Sequence, residues 1–219
     1  MFLNLMFPGQ KTWKPYWVEI RDRFFLDISA EYAKEPFTSF HLGVLKVRPS
    51  KDYPDRPDVL EFYDGEQFTQ TSFWVFTYDP FDILEFFKNV CNAYKEWRQT
   101  VTQTRTPVVD RKFEVKPPGF FAGNVFWTIQ EDKILIGKQN QTPTVHSIQD
   151  VQITPVTNTS RTGYFKLTLK GQDPLEEKCM NMEDMKKLLD AVYTNRFILK
   201  YPAEEAAPAP VAEPAPAAE

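Results

Sequence analysis

The stretch "SFWVFTYDPFDILEFFKNVCNAYKEWRQTV", residues 72–101, changes its period part-way along. As far as Phe76 it is aromatic and β-branched, the composition of a strand. Asp79 then offers a side-chain oxygen at a helix N-cap, Pro80 suits the first helical position, and Asp82 follows three residues after the cap. Ile83, Phe87, Val90, Tyr94 and Trp97 recur at intervals of three and four, so a helix over about 80–101 with one apolar stripe is expected. A strand that runs directly into a long capped helix closes a structural unit. What it closes is set by the residues around it.

Upstream, "MFLNLMF" is apolar, has no charged start and breaks at Pro8-Gly9. It is too short to span a membrane and reads as a first strand. "KTWKPYWVEIRDRFF", residues 11–25, interleaves Lys11, Lys14, Arg21 and Arg23 with Trp13, Tyr16 and Trp17. "LGVLKVRP" and "VLEFYDGEQF" read as further strands, with a hairpin turn at Asp64-Gly65. Downstream the order repeats. "TIQEDKILIG" turns at Glu131-Asp132, "VQIT" alternates about Val151 and Ile153, and "YFKLTLK" sends Phe165, Leu167 and Leu169 one way and Lys166, Thr168 and Lys170 the other. A second helix over 182–198 follows in "NMEDMKKLLDAVYTNRFI". Asn181 is its cap, Glu183 and Asp184 lie in its first turn, and Met185, Leu188, Leu189, Val192 and Phe197 share one face. The repetition is of pattern, not of residue identity.

Apolar residues make up 42% of the 219 and aromatics 15%, with 19 Phe, a composition suited to compact β-rich cores. The net charge is −4, and the Ala/Pro/Glu stretch 203–219 holds four Glu and no basic residue, so the body carries 26 basic and 30 − 4 = 26 acidic groups. Residues 1–100 are net 12 − 15 = −3 and residues 101–202 net 14 − 11 = +3, a balance that argues against a nucleic-acid partner. Residues 203–219 have no apolar groups able to repay ordering and are expected to be disordered. Cys91 and Cys179 sit in apolar-periodic segments and read as reduced, buried thiols of a cytoplasmic protein. His41 and His146 fall in strand-like segments, no paired Cys or His has metal-ligand spacing, and the eight glycines form no phosphate loop. "EFYDGE" groups carboxylates at a turn, where solvated acids are the default. No catalytic residue, metal or cofactor is expected, and the chain reads as a non-enzyme.

Many short antiparallel strands followed by one C-terminal helix resembles the pleckstrin homology superfold, a seven-stranded bent barrel capped by a helix. The resemblance is sharpest at Lys11-Thr12-Trp13-Lys14-Pro15-Tyr16-Trp17-Val18-Glu19-Ile20, which is similar to the family's Lys-x-Trp-Lys-x-Arg-Trp-hydrophobic-x-Leu pattern. "SFWVFTYDPFDILEFF" is similar to its last strand and the start of its capping helix. The family's helix usually carries a Trp near its middle, where this chain has Phe86 or Phe87. The motif covers residues 1–100; for 107–202 the resemblance is of architecture alone. It implies a mostly β (α+β) fold of two barrels in tandem, each of about seven strands and a helix: residues 1–101, a linker at 102–110, and residues 111–202.

The family's fold hosts phosphoinositide binders, peptide binders and scaffolds, so it does not name a function. Its lipid binders place a basic residue late in strand one and a Lys and an Arg two apart entering strand two. Here Lys14 holds the Lys position, Tyr16 stands at the Arg position, and "FLNLMF" has no base. Lys11 can contribute from the loop, and Lys34 from "SAEYAKEPF" if that is the third-to-fourth-strand loop. Arg21 should lie roughly 20 Å from Lys14 along the strand. The candidate phosphate contacts are therefore Lys11, Lys14 and Lys34, with the clamp incomplete. The resemblance implies a non-catalytic adaptor for an unidentified protein partner, with weak contact to a membrane surface. The alternative is a phosphoinositide-binding module targeted to membranes. Phosphotyrosine-binding relatives of the fold add a peptide strand beside the helix, and "SFWVF" with "FTYDP" suits either such a groove or plain core packing.

Overall fold

The computed structural model describes residues 1–31, 33–64, 71–116, 124–157, 162–169, 175–179 (backbone path) and 181–202. The tail 203–219, the Gly65 side of the turn after Asp64, and Lys170 lie outside the described residues.

The fold is mostly β. Seven strands come first: β1 (Phe2–Met6), β2 (Lys14–Arg21), β3 (Phe25–Ala30), β4 (Thr38–His41), β5 (Leu45–Pro49), β6 (Val59–Asp64) and β7 (Thr71–Phe76). Helix α1 (Pro80–Thr104) follows. The order then repeats as β8 (Arg111–Lys116), β9 (Val125–Ile129), β10 (Lys133–Lys138), β11 (Thr144–Ser147), a 3-10 turn at Ile148–Asp150, β12 (Val151–Pro155), β13 (Tyr164–Leu169), β14 (Leu175–Cys179) and α2 (Met182–Lys200). All pairs are antiparallel, in sheets ordered β4-β3-β2-β1-β7-β6-β5 and β11-β10-β9-β8-β14-β13-β12. β5 and β12 therefore occupy the same place in their sheets.

Local chemistry accounts for the helix starts. The Asp79 carboxylate accepts the Phe81 N–H at 2.8 Å, and Asn181 accepts that of Asp184 at 2.7 Å. α1 runs three residues past the expected end at 101, so 102–104 are helix and not linker; Arg105 stops it in a left-handed conformation with φ 43°. The rest of the connector is tied down. Asn195 of α2, fully buried, accepts the Val108 N–H at 2.7 Å and donates to the Val108 and Gln130 carbonyls at 2.7 and 3.0 Å.

The stripe of α1 differs from expectation. The residues it buries are Phe86, Val90, Ala93, Trp97 and Val101. Phe87 is exposed and Ile83 and Tyr94 half-buried. Phe86 and Phe87 are equally apolar, so periodicity alone leaves the register of the stripe open by one residue.

α2 buries its apolar face as expected, and Lys186, Thr194, Asn195 and Arg196 as well, because it lies between the two sheets. One apolar cluster joins Phe25, Val44, Trp97 and Val101 to Trp127, Leu189, Val192 and Phe197. Polar groups reinforce the junction. Lys186 donates to Asp27 at 2.7 Å and to Asp22 at 2.8 Å, and Ser39 donates to Asp27 at 2.6 Å. The His41 ring packs on Trp97 and Tyr193 at 5.2 and 5.3 Å. Gly43 N–H bonds to His41 Nδ1 at 3.0 Å, so Nδ1 is an acceptor and Nε2 faces Asp190 at 3.3 Å. Gly43 has no room for more, since a Cβ there would lie 2.7 Å from the Trp97 ring.

Candidate functional site

Among the described residues, three places bear on ligand binding: the edge of each sheet beside its helix, and a cleft between the sheets. The two edges share a topology and differ in state.

On the second sheet, Val156 N–H bonds to Tyr164 O, and the register with β13 then turns the carbonyls of Val151 and Ile153 outward. Both are taken by α2. Arg196 Nη1 donates to Val151 O at 3.0 Å and the Tyr193 hydroxyl to Ile153 O at 3.1 Å. Pro155 has no N–H to offer. With β4 of the first sheet also packed against α2, the outward carbonyls of this edge are taken by the protein itself.

On the first sheet, Ser50 N–H bonds to Val59 O, which turns the Val47 N–H and C=O outward by the same rule. Neither has a partner among the described residues. Beside Val47 lies a groove of about 260 Å³ lined by Pro49, Leu60, Ile83, Leu84 and Phe87, with Arg48 and Asp58 among its polar lining residues. Leu84 is 62% exposed, Phe87 38%, and Phe81, one turn away, 78%. Arg48 is held by Glu61 through contacts of 2.9 and 3.2 Å. Burial works to raise the Glu61 pKa, but Arg48, the Thr71 hydroxyl and the Lys51 N–H together outweigh it and hold the carboxyl below its ordinary value. An unpaired edge strand beside an apolar groove is the arrangement that accepts an extended segment from another chain.

The third place is an open cleft of about 990 Å³ between the start of β2 and the β12 edge. Of the three lysines that the resemblance implied, Lys14 lines it; Lys11 and Lys34 are exposed and lie outside it. The position where the family's lipid binders carry arginine holds Tyr16, which also lines the cleft. Tyr16 is 4% exposed, its ring 5.4 Å from Phe7 and 5.6 Å from Phe37, so the ring belongs to the core of the first sheet. Arg21 pairs with Glu19 at 3.0 Å, and Arg23 approaches Glu96 at 3.8 Å.

"SFWVF" forms strand β7, with Phe73, Val75 and Phe76 in the core. The groove residues come instead from β5, the start of β6 with the residues before it, and the outer face of α1. Their sequence signal was the surplus of apolar groups in "FDILEFF", more than one stripe can use. Cys91 is a free, half-buried thiol, and the side chain of Cys179 lies outside the described residues. His146 faces Thr144 at 3.1 Å in β11. Among the described residues no group of three or more His, Cys, Asp or Glu is placed to hold a metal, and no helix is long and apolar enough to cross a membrane.

No protein-family model and no curated protein matches the chain. Among solved structures it is similar to a pleckstrin homology domain determined in solution, at 13% identity and a TM-score of 0.34, over 45% of this chain and 94% of that one.

Proposed function

We propose that the chain is a non-catalytic adaptor built of two pleckstrin-homology-like barrels, and that it captures an extended segment of a partner protein along β5, beside α1. The observation that carries this is the contrast between the two edges. The outward carbonyls of β12 are taken by Tyr193 and Arg196, whereas the Val47 groups and the apolar residues of α1 beside them are left open. The segment adds as a short strand, because Pro49 ends the donor row, and it places one large apolar side chain between Leu60, Ile83, Leu84 and Phe87. The phosphoinositide alternative is weakened by Tyr16, which blocks the arginine position on which such a clamp depends.

The test is a random peptide library selected on the full chain and counter-selected on Leu84→Asp. Both variants used here change exposed or edge positions. Enriched peptides should contain an apolar anchor, lose at least tenfold in affinity for Leu84→Asp and for Val47→Pro, and shift the Val47 amide resonance. Peptides that bind both variants as well as the parent, or an absence of enrichment, would overturn the proposal.

A further inference from the structure

One face of α1 leads from the end of α2 to the groove beside β5. At the end of α2, Arg105 donates to the Tyr201 carbonyl at 2.5 Å, and the Arg98 guanidinium lies 5.7 Å from the Tyr201 ring. Arg98, Lys95, Cys91, Lys88 and Leu84 recur at intervals of three and four, so they share one face of the helix. Lys88 and Lys95 are exposed, and neither has an ion-pair or hydrogen-bond partner among the described residues. Glu85 and Glu96, the acids of this stretch, fall about a third of a turn to one side by the same spacing.

The sequence after Pro202 matches this track. Residues 203–219, which lie outside the described residues, hold four Glu, no basic residue and one large apolar side chain, Val211. Glu204 and Glu205 come three and four residues after Tyr201, and Val211 comes ten after it. Ten extended residues reach about 33 Å, whereas the fourteen helical residues from Arg98 to Leu84 rise about 21 Å. β5 runs in the same direction: Gly43, just before it, abuts Trp97, while Pro49 at its end lines the groove with Leu84. A segment arriving from Tyr201 therefore pairs with β5 in the parallel sense. The Val47 N–H then takes a carbonyl, and the Val47 C=O an N–H, from the two neighbours of the residue opposite. With Val211 opposite, Pro210 supplies the carbonyl and Ala212 the N–H, and the valine side chain faces the groove. Proline fits at 210 because only its carbonyl is used.

We infer that the segment after Pro202 lies along this face of α1, with Glu204 and Glu205 against Lys95 and Lys88 and Val211 in the β5 groove, so that the chain competes with its partner for that site. The competition, though not the contact itself, rests on the partner-capture reading above. An Ala/Pro/Glu segment offsets little of its ordering entropy, so the contact is weak, but tethering presents it at an effective concentration on the order of millimolar. Valine buries less apolar area than leucine or phenylalanine, so a partner with a larger anchor displaces it.

The test compares amide hydrogen exchange and amide chemical shifts of the full chain with those of three variants, first with no peptide present. They are Val211→Asp, the double variant Glu204→Lys with Glu205→Lys, and Glu219→Lys as a charge control beyond the contact. The Val47 amide should exchange about threefold faster in Val211→Asp. The Lys88 and Lys95 amide resonances should shift in the double variant, and about 0.5 M salt should shift them the same way in the parent by screening. Glu219→Lys should change neither. In a second arm, peptides selected on β5 should bind Val211→Asp about threefold more tightly than the parent; equal affinities overturn the competition. If Val47 responds to Val211→Asp while the selected peptides bind elsewhere, the contact is supported and the partner reading alone fails. If Val47, Lys88 and Lys95 are indifferent to Val211→Asp and to the double variant, or respond as much to Glu219→Lys, the inference is overturned whatever the peptides do.

Discussion

Replacing Lys186 by methionine should loosen the junction between the two sheets. The ammonium is almost fully buried and donates to Asp27, itself 3% exposed, and to Asp22, which is 66% exposed. Methionine fills a similar volume and supplies no charge, so the main consequence is a buried Asp27 carboxylate left with the Ser39 hydroxyl alone. Breaking a buried pair from one side costs about 3–5 kcal/mol. The surviving Ser39 bond places the expected value near the lower end, about 3 kcal/mol. For a chain of this length that corresponds to a fall in Tm of roughly 6–12 °C. Asp22→Asn should cost less than about 1 kcal/mol, since that carboxylate stays in water. The assay is thermal unfolding by circular dichroism, with urea titrations for ΔΔG, on Lys186→Met, Asp27→Leu and the double variant. The double variant should be more stable than the sum of the singles, because removing both charges leaves neither unpaired. A Lys186→Met protein that melts within a degree of the parent, or singles that simply add, would refute the reasoning.

Gly43→Ala should lower stability by about 1–3 kcal/mol, measured by urea unfolding, because the new Cβ meets the Trp97 ring and the His41 ring at 2.7 and 2.8 Å; no change would mean that Trp97 moves freely. Tyr16→Arg should destabilise by roughly 3 kcal/mol in the same assay, since it exchanges a ring packed between Phe7 and Phe37 for a guanidinium. A variant as stable as the parent would place Tyr16 outside the core. Glu61 has a folded pKa below its unfolded value near 4.5, so its contribution is present above pH 4.5 and is lost as pH falls through the lower folded value. The acid limb of the stability–pH curve should therefore flatten below about pH 4.5 in Glu61→Gln; a limb of unchanged slope would show that other groups carry it.

Much of the chain's organisation is local, and the sequence holds it in full. The Asp79 and Asn181 caps, the turn at Glu131-Asp132, and the alternation of Phe165, Leu167 and Leu169 depend on neighbours a few residues away, and each is found where the pattern places it. The candidate site was legible only in its ingredients. "FDILEFF" has more apolar groups than one helix stripe uses, but whether Phe86 or Phe87 turns inward depends on where β6 and β7 meet the helix; Phe86 packs on Phe62 at 5.6 Å, and Phe87 is left to the groove. Tyr16 is a strand residue in any reading, yet its burial follows from Phe7 and Phe37, which approach it only once β1, β2 and the segment before β4 are assembled. Lys14 and Lys166 are 152 positions apart in the numbering and share a cleft because α2 is wedged between the sheets. Periodicity records which side of an element is apolar, since that requirement acts on each residue where it stands. It does not record what covers that side. That is decided by contacts between segments far apart in the chain, and α2, which buries Lys186, Thr194, Asn195 and Arg196 beside its apolar face, shows how far those contacts can depart from the local pattern.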